Sequence, residues 1–204
     1  MSSDQFWDER YHATTPTERS WTERDGGPSL HFIERFAPDV VPLVDVGGGV
    51  SLLTTELAAR GWTDLTVLDF SRVALREAAA QAPDSIPFVQ GDVRAWRPDR
   101  PMGLWHDRAV LHFCTDDADV AAYRDSLMAA TAPNALAILG VFSPDGPSTC
   151  SGLPVRQWSA SALRAWLGDD WLVLHEERRD HETPWESTQN FQWVVARRTS
   201  SSLG

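Results

Sequence analysis

Cysteine is scarce: Cys114 and Cys150 are the only two in 204 residues. Two thiols cannot build a disulfide framework, and their spacing is not that of paired zinc ligands. Both are expected to be reduced and structural, and no metal is expected. Long apolar runs are also missing; none approaches the roughly 20 residues that a bilayer-spanning helix needs. The start, MSSDQFWDERY, is acidic and aromatic, without the basic first residues and apolar middle of a signal peptide. No membrane partner and a cytoplasmic location are therefore expected. Positive charge is in short supply, 18 basic against 29 acidic residues, for a net charge of -11. Such a surface repels phosphate backbones and anionic lipid, which disfavours nucleic acid as a partner. Internal repeats are absent, as are low-complexity tracts beyond the TSSSLG tail, and no oligomeric state follows from the sequence.

What is present suits one soluble domain with a sizeable core: 42% hydrophobic and 23% charged residues. Ten tryptophans are many. They can be core packing, or they can line an aromatic pocket, since Trp7, Trp21, Trp158 and Trp185 lie in segments read as loops or lids.

Residues 1–39 read as a helical cap. A turn at DGGPS precedes helical spacing at Leu30, Phe32, Ile33 and Phe36. From residue 40 the pattern becomes alternating. PLVDV is a buried strand with a glycine cluster behind it. SLLTTELAARG is a helix stopped by Gly61. LTVLD is a second strand, SRVALREAAAQA a helix capped by Ser71, IPFVQGD a third strand and GLWHDRA a fourth. DADVAAYRDSLMAAT is helical, ALAILGVF a fifth strand and SASALRAWLG a helix. WLVLHEERR and NFQWVVARR have no helix between them and are expected to pair antiparallel. Together these predict an α/β fold: a Rossmann-like, doubly wound, mostly parallel sheet of about seven strands with an antiparallel C-terminal hairpin and helices on both faces. The expected division is a cap (1–39), a cofactor-binding core (40–142), a substrate-side loop with the last strands (143–198) and a tail (199–204).

In such sheets ligands sit beyond the carboxyl ends of the strands, beside the first one. After the first strand, Gly47, Gly48 and Gly49 allow a tight turn and close backbone approach, and a helix starting near Ser51 aims its amides at the cleft. The dinucleotide pattern needs a third glycine where Leu52 stands, so a dinucleotide fits less well. After the second strand, Asp69 can accept both ribose hydroxyls of a nucleoside, or cap a helix. After the third, Asp92 can receive an adenine amine, or follow Gly91 as a turn former.

Taken together, these pieces resemble the class I S-adenosylmethionine-dependent methyltransferases, from about Phe6 to Arg198. FWDERY, WHDRAVLHF, CSGLPV, WS and HETPWESTQNFQW further resemble a bacterial group of small methyltransferases. The resemblance implies S-adenosylmethionine as cofactor, with S-adenosylhomocysteine as product. It implies that Asp45, Gly47 and Gly49 hold the methionine end. Asp69 would hold the ribose, with Phe70 packing on the adenine side, and Asp92 and Val93 would meet the adenine; Gly48, Ser51, Ser71 and Gly91 are further cofactor-binding candidates. The residues after the fourth strand, Asp107 and Arg108, would border the methionine portion. Gly103 and Asn134 depart from the group, which more often has aspartate and a PGG turn there.

Candidate catalytic residues are Asp107, Arg108 and His112. Asp107 can orient an amine, act as base, or pair with Arg108; Arg108 can bind an acidic substrate; His112 can be a base or a helix-start cap. Methyl transfer from a sulfonium mainly requires alignment and exclusion of water, so no triad is needed. The acceptor is expected among Trp7, Tyr11, Trp21, Cys150, Trp158 and His181, with the Gly/Pro/Ser-rich stretch after the fifth strand as a wall. Cys150 is not expected to act as a nucleophile. A small-molecule acceptor is the leading expectation, a protein side chain such as lysine the second, and a non-catalytic nucleotide-binding module the third.

Overall fold

The computed structural model describes residues 3–15, 18–21, 27–37 and 39–200. Asp25 and Gly26 of the expected turn, and most of the TSSSLG tail, lie outside them.

One sheet runs in the order β3-β2-β1-β4-β5-β9-β8. Its strands are β1 (Leu43–Val46), β2 (Leu65–Asp69), β3 (Phe88–Gln90), β4 (Met102–Arg108), β5 (Thr131–Phe142), β8 (Trp171–Glu182) and β9 (Thr188–Arg198). The first five are parallel. β9 enters antiparallel between β5 and β8. This is the expected Rossmann-like α/β sheet, with the hairpin at its edge.

Burial follows the period-2 geometry of strands. One face of β4 carries Leu104 into a core with Phe32 and Ile33 of α2 (Gly27–Phe36), Leu53 and Leu57 of α3 (Leu53–Ala59) and Leu75 of α4 (Arg72–Ala79). The other face carries Trp105 into a core with Tyr123 and Leu127 of α5 (Asp117–Ala130) and Leu163 and Leu167 of α6 (Ala160–Leu167). Helix ends follow the expected chemistry. Ser71, Asp116 and Ser159 each accept an amide hydrogen at a helix start. Past the end of α3, Gly61 has φ +88°.

The two departures from the family pattern are scaffold features. A Cβ on Gly103 would stand 2.8 Å from the Val41 Cβ, so an aspartate does not fit. Asn134 has φ 65°, the left-handed region that asparagine tolerates after glycine.

The cap is α1 (Ser3–Ala13) packed on α4. Asp8 Oδ1 accepts from Ser71 Oγ at 2.7 Å and from the Val73 amide at 3.1 Å. Arg19, 3% exposed, holds Glu77 through both terminal nitrogens at 3.1 Å and donates to the Thr14 and Tyr11 carbonyls. Arg19→Met is expected to cost ~1.5–3 kcal/mol of local stability, because charge-assisted bonds are lost and Glu77 is left unpaired. Hydrogen exchange should then speed up in α1 while the sheet stays protected; uniform exchange would show that Arg19 does not pin the cap.

The Gly/Pro/Ser-rich stretch holds a small hairpin, β6 (Thr149–Cys150) and β7 (Leu153–Pro154). Ser151 and Gly152, at φ 52° and 83°, form its two-residue turn.

Candidate active site

A cavity of about 560 Å³ lies beyond the carboxyl ends of β1, β2 and β4, under α1 and the small hairpin. It falls within the range of small-ligand sites, roughly 300–1,000 Å³. Of the residues singled out in the sequence, Asp45, Gly47, Gly48, Ser51, Asp69, Phe70, Gly91, Asp92 and Val93 line it, as do Trp7, Tyr11, Trp21, Arg108 and Cys150.

The glycine turn has no room for side chains. A Cβ on Gly48 would stand 2.5 Å from Asp45 Oδ2; one on Gly49 would stand 2.6 Å from the Tyr11 hydroxyl and 2.9 Å from Asp69 Oδ2. Asp69 is buried and accepts the Ser71 amide at 2.7 Å. Burial pushes its pKa up to about 7, against the amide bonds from Ser71 and Gly49, with the charges of Asp45 and Asp8 adding to the rise. Asp92 sits in a different field. Burial opposes its ionisation, but Arg94 donates to it at 2.6 and 3.0 Å and holds its carboxyl below the usual range. Arg94 also reaches Asp119 on α5, tying the far end of the cavity to that helix.

The other end is aromatic. Trp7 meets Trp21 and Phe113 edge-on at ring distances of 6.1 and 5.2 Å, and Tyr11 meets Trp21 at 5.8 Å. Arg108 donates to the Trp21 carbonyl at 2.6 Å and its guanidinium lies over the Phe191 ring at 5.0 Å.

Six expected site residues are not on the cavity wall; Gly49 stands just behind it in the glycine turn, and the other five are held elsewhere. Asp107 is fully buried on the opposite face of β4 from Arg108, and the two do not pair. Its carboxylate accepts the Val110 amide at 2.8 Å, the Leu111 amide at 3.0 Å and the Tyr123 hydroxyl. It clamps the turn where Ala109 takes φ 72°, strained for a residue with a Cβ. Burial raises its pKa to about 6, partly offset by these three donors. His112 lies off the cavity between Phe113 and Phe142, and burial with the Arg108 charge pushes it down to about 3. At that value it is neutral near pH 7. Ser71 is consumed as the α4 cap and is held by Asp8. Trp158 belongs to the α5–α6 core. His181 bonds the Ser20 carbonyl at 2.7 Å, and burial lowers it to about 4. Trp185 is 54% exposed at the β8–β9 turn and does not line the cavity.

Sequence reasoning passed over His106 and Phe113, both on the cavity wall. Strict alternation along β4 places His106 on the face of Arg108, a signal that was available.

Residues 43–134 match the family model described as a methyltransferase domain. Over 194 aligned residues the chain is 29% identical to a trans-aconitate 2-methyltransferase of Yersinia pestis (strain Pestoides F), covering 86% of this chain and 70% of that protein. Among solved structures, it superposes on a Burkholderia thailandensis 1,6-didemethyltoxoflavin-N1-methyltransferase, solved with 1,6-didemethyltoxoflavin and S-adenosylhomocysteine bound. There the TM-score is 0.75 at 16% identity, over 98% of this chain and 92% of the other. A SAM-dependent methyltransferase from Anabaena variabilis gives a TM-score of 0.76 at 15% identity, over 97% and 96%. At these identities the two structures bear on the fold alone.

Proposed function

We propose that this chain, in which residues 43–134 match a methyltransferase domain, is a class I S-adenosylmethionine-dependent methyltransferase that transfers the methyl group to a small-molecule acceptor held at the aromatic end of the cavity. The observation that carries this reading is the continuity of that cavity from Asp92 to the aromatic cluster of Trp7, Trp21 and Phe113 under the α1 roof. The trans-aconitate methyltransferase relative, named for a small acid, supports the same substrate class.

The residues fit the cofactor. The glycine turn brings bare backbone to the cavity wall, where a Cβ would strike Val110, Asp45, Tyr11 or Asp69. Asp69 keeps lone pairs for two ribose hydroxyls beside the amide bonds it already accepts. Asp92, held ionised by Arg94, is an acceptor for the adenine amine, and Phe70 and Val93 supply apolar surface beside it. Asp45 and Gly47–Gly49 are assigned to the methionine end, and Ser51 to the start of α3 beside it. The bound cofactor supplies an activated methyl group whose leaving group is neutral, so the protein's work is alignment and exclusion of water. Trp7, Tyr11 and Trp21 close over the acceptor, and Arg108 fixes Trp21 through its carbonyl. Cys150 borders the same space as a thiol, since burial raises its pKa. A protein side chain would have to pass this roof, which favours a small acceptor.

Incubation with radiolabelled S-adenosylmethionine in a cell extract is expected to place label in low-mass products. Label confined to protein would contradict the small-molecule reading. Trans-aconitate is the first pure acceptor to test.

Affinity for S-adenosylhomocysteine is expected to rise with pH. Ribose hydroxyls donate to the ionised Asp69 carboxylate, and the free enzyme holds that group up at about 7. Below this value binding must expel a proton, so affinity falls toward ~tenfold per pH unit; above it the dependence levels off. Calorimetry in buffers of different ionisation enthalpy should register the proton release at pH 6, and Asp69→Asn should abolish it. Pure pH independence would mean that Asp69 does not meet the ribose.

A further inference from the structure

His106 is a buried titratable side chain on the cavity wall to which the reading above gives no task. It stands on β4 in register with Asp45 on β1. Both side chains are 3% exposed, and His106 Nδ1 lies 2.7 Å from Asp45 Oδ1. The ring lines the cavity, yet Nε2, though buried, has no hydrogen-bond partner among the described residues. A buried polar atom left without a partner costs ~1–3 kcal/mol, so a role in packing alone would be better served by an apolar residue such as Leu104 on the same face. The arrangement leaves Nε2 for a ligand.

The partners define the ligand's chemistry. A carboxylate only accepts, so in the neutral ring Nδ1 carries the proton and Nε2 presents its lone pair. A lone pair backed by a carboxylate through the ring suits a positively charged donor. The pair lies beside the glycine turn, where a Cβ on Gly48 would strike the second oxygen of this same Asp45. We propose that His106 Nε2 accepts a hydrogen bond from the α-ammonium at the amino-acid end of the cofactor, with Asp45 supplying the negative charge behind it. This rests on the cofactor reading above. It makes the His–Asp pair a binding device for the amino-acid end and leaves deprotonation of the acceptor to another group.

The test compares two ligands, S-adenosylhomocysteine and 5′-methylthioadenosine, which lacks the amino-acid end. In His106→Asn, which keeps an amide near Asp45 but loses the distal atom, S-adenosylhomocysteine affinity should drop by at least ~tenfold, as expected for a lost hydrogen bond to a charged group. The affinity for 5′-methylthioadenosine should stay unchanged, which also verifies the fold. His106→Gln, which restores a distal acceptor, should recover part of the loss. In the wild-type protein, the imidazole ¹⁵N signal of Nε2 should move with S-adenosylhomocysteine and stay put with 5′-methylthioadenosine; this readout needs no variant. Equal weakening of both ligands, no weakening of either, or an Nε2 signal indifferent to the amino-acid end would overturn the proposal. If the wild type binds neither compound, the methyltransferase reading itself fails, a result distinct from these.

Discussion

Asp69→Ala is expected to fold like the wild type and to bind S-adenosylhomocysteine at least ~100-fold more weakly, since two hydrogen bonds to a charged acceptor are each worth ~1.5–3 kcal/mol. The fold should survive because the carboxylate is held in an unfavourable place. Burial pushes its pKa up to about 7, and its bonds within the protein are to the Ser71 and Gly49 amides. The sign is explicit. An aspartate whose pKa is raised in the folded state opposes folding as pH climbs from its unfolded value near 4 through about 7. Removing it should therefore raise stability slightly at pH 8 relative to pH 5, against the loss of the Ser71 amide bond. Thermal melts at both pH values beside calorimetric titration separate the two effects. Full affinity with lowered stability would make Asp69 a structural cap.

Asp107→Ala is expected to do the reverse. It should cost ~3–5 kcal/mol of folding stability, because two amides and a hydroxyl lose a buried acceptor together. Those donors are Val110, Leu111 and Tyr123. Tyr123→Phe removes only one of them. It also leaves the Trp105 indole N–H, now 2.9 Å from the Tyr123 hydroxyl, without its acceptor; a loss of ~1–3 kcal/mol is expected. Urea unfolding with constant slope measures both. Wild-type stability with lost turnover in Asp107→Ala would instead place the carboxylate at the reaction.

That contrast shows where the sequence was readable. Alternating apolar runs and helix patterns expose β1 to β5, and the missing helix between the last two strands exposes the antiparallel hairpin. The glycine turn with Asp45, Asp69 and Asp92 at successive strand ends was equally visible, since those positions depend only on where strands stop. What WHDRAVLHF hides is facing. Three titratable residues in a row must alternate, so His106 and Arg108 share one face of β4, but only the packed sheet shows that this face is the cavity's while Asp107 turns toward α5. The return of the chain at Ala109 depends on a strained φ, and alanine carries no local signal for one. The β6–β7 hairpin was obscured because two-residue strands have no periodicity to detect. The cap's anchors join residues far apart in sequence, Asp8 with Ser71 and Arg19 with Glu77, and nothing local announces such pairs.

The most direct measurement is a calorimetric titration of S-adenosylhomocysteine into the wild-type protein at pH 8, where Asp69 is ionised in the free state. The account predicts saturable binding well below millimolar ligand. No heat and no saturation at millimolar ligand would contradict it, because the glycine turn and the two strand-end carboxylates are assigned to that ligand.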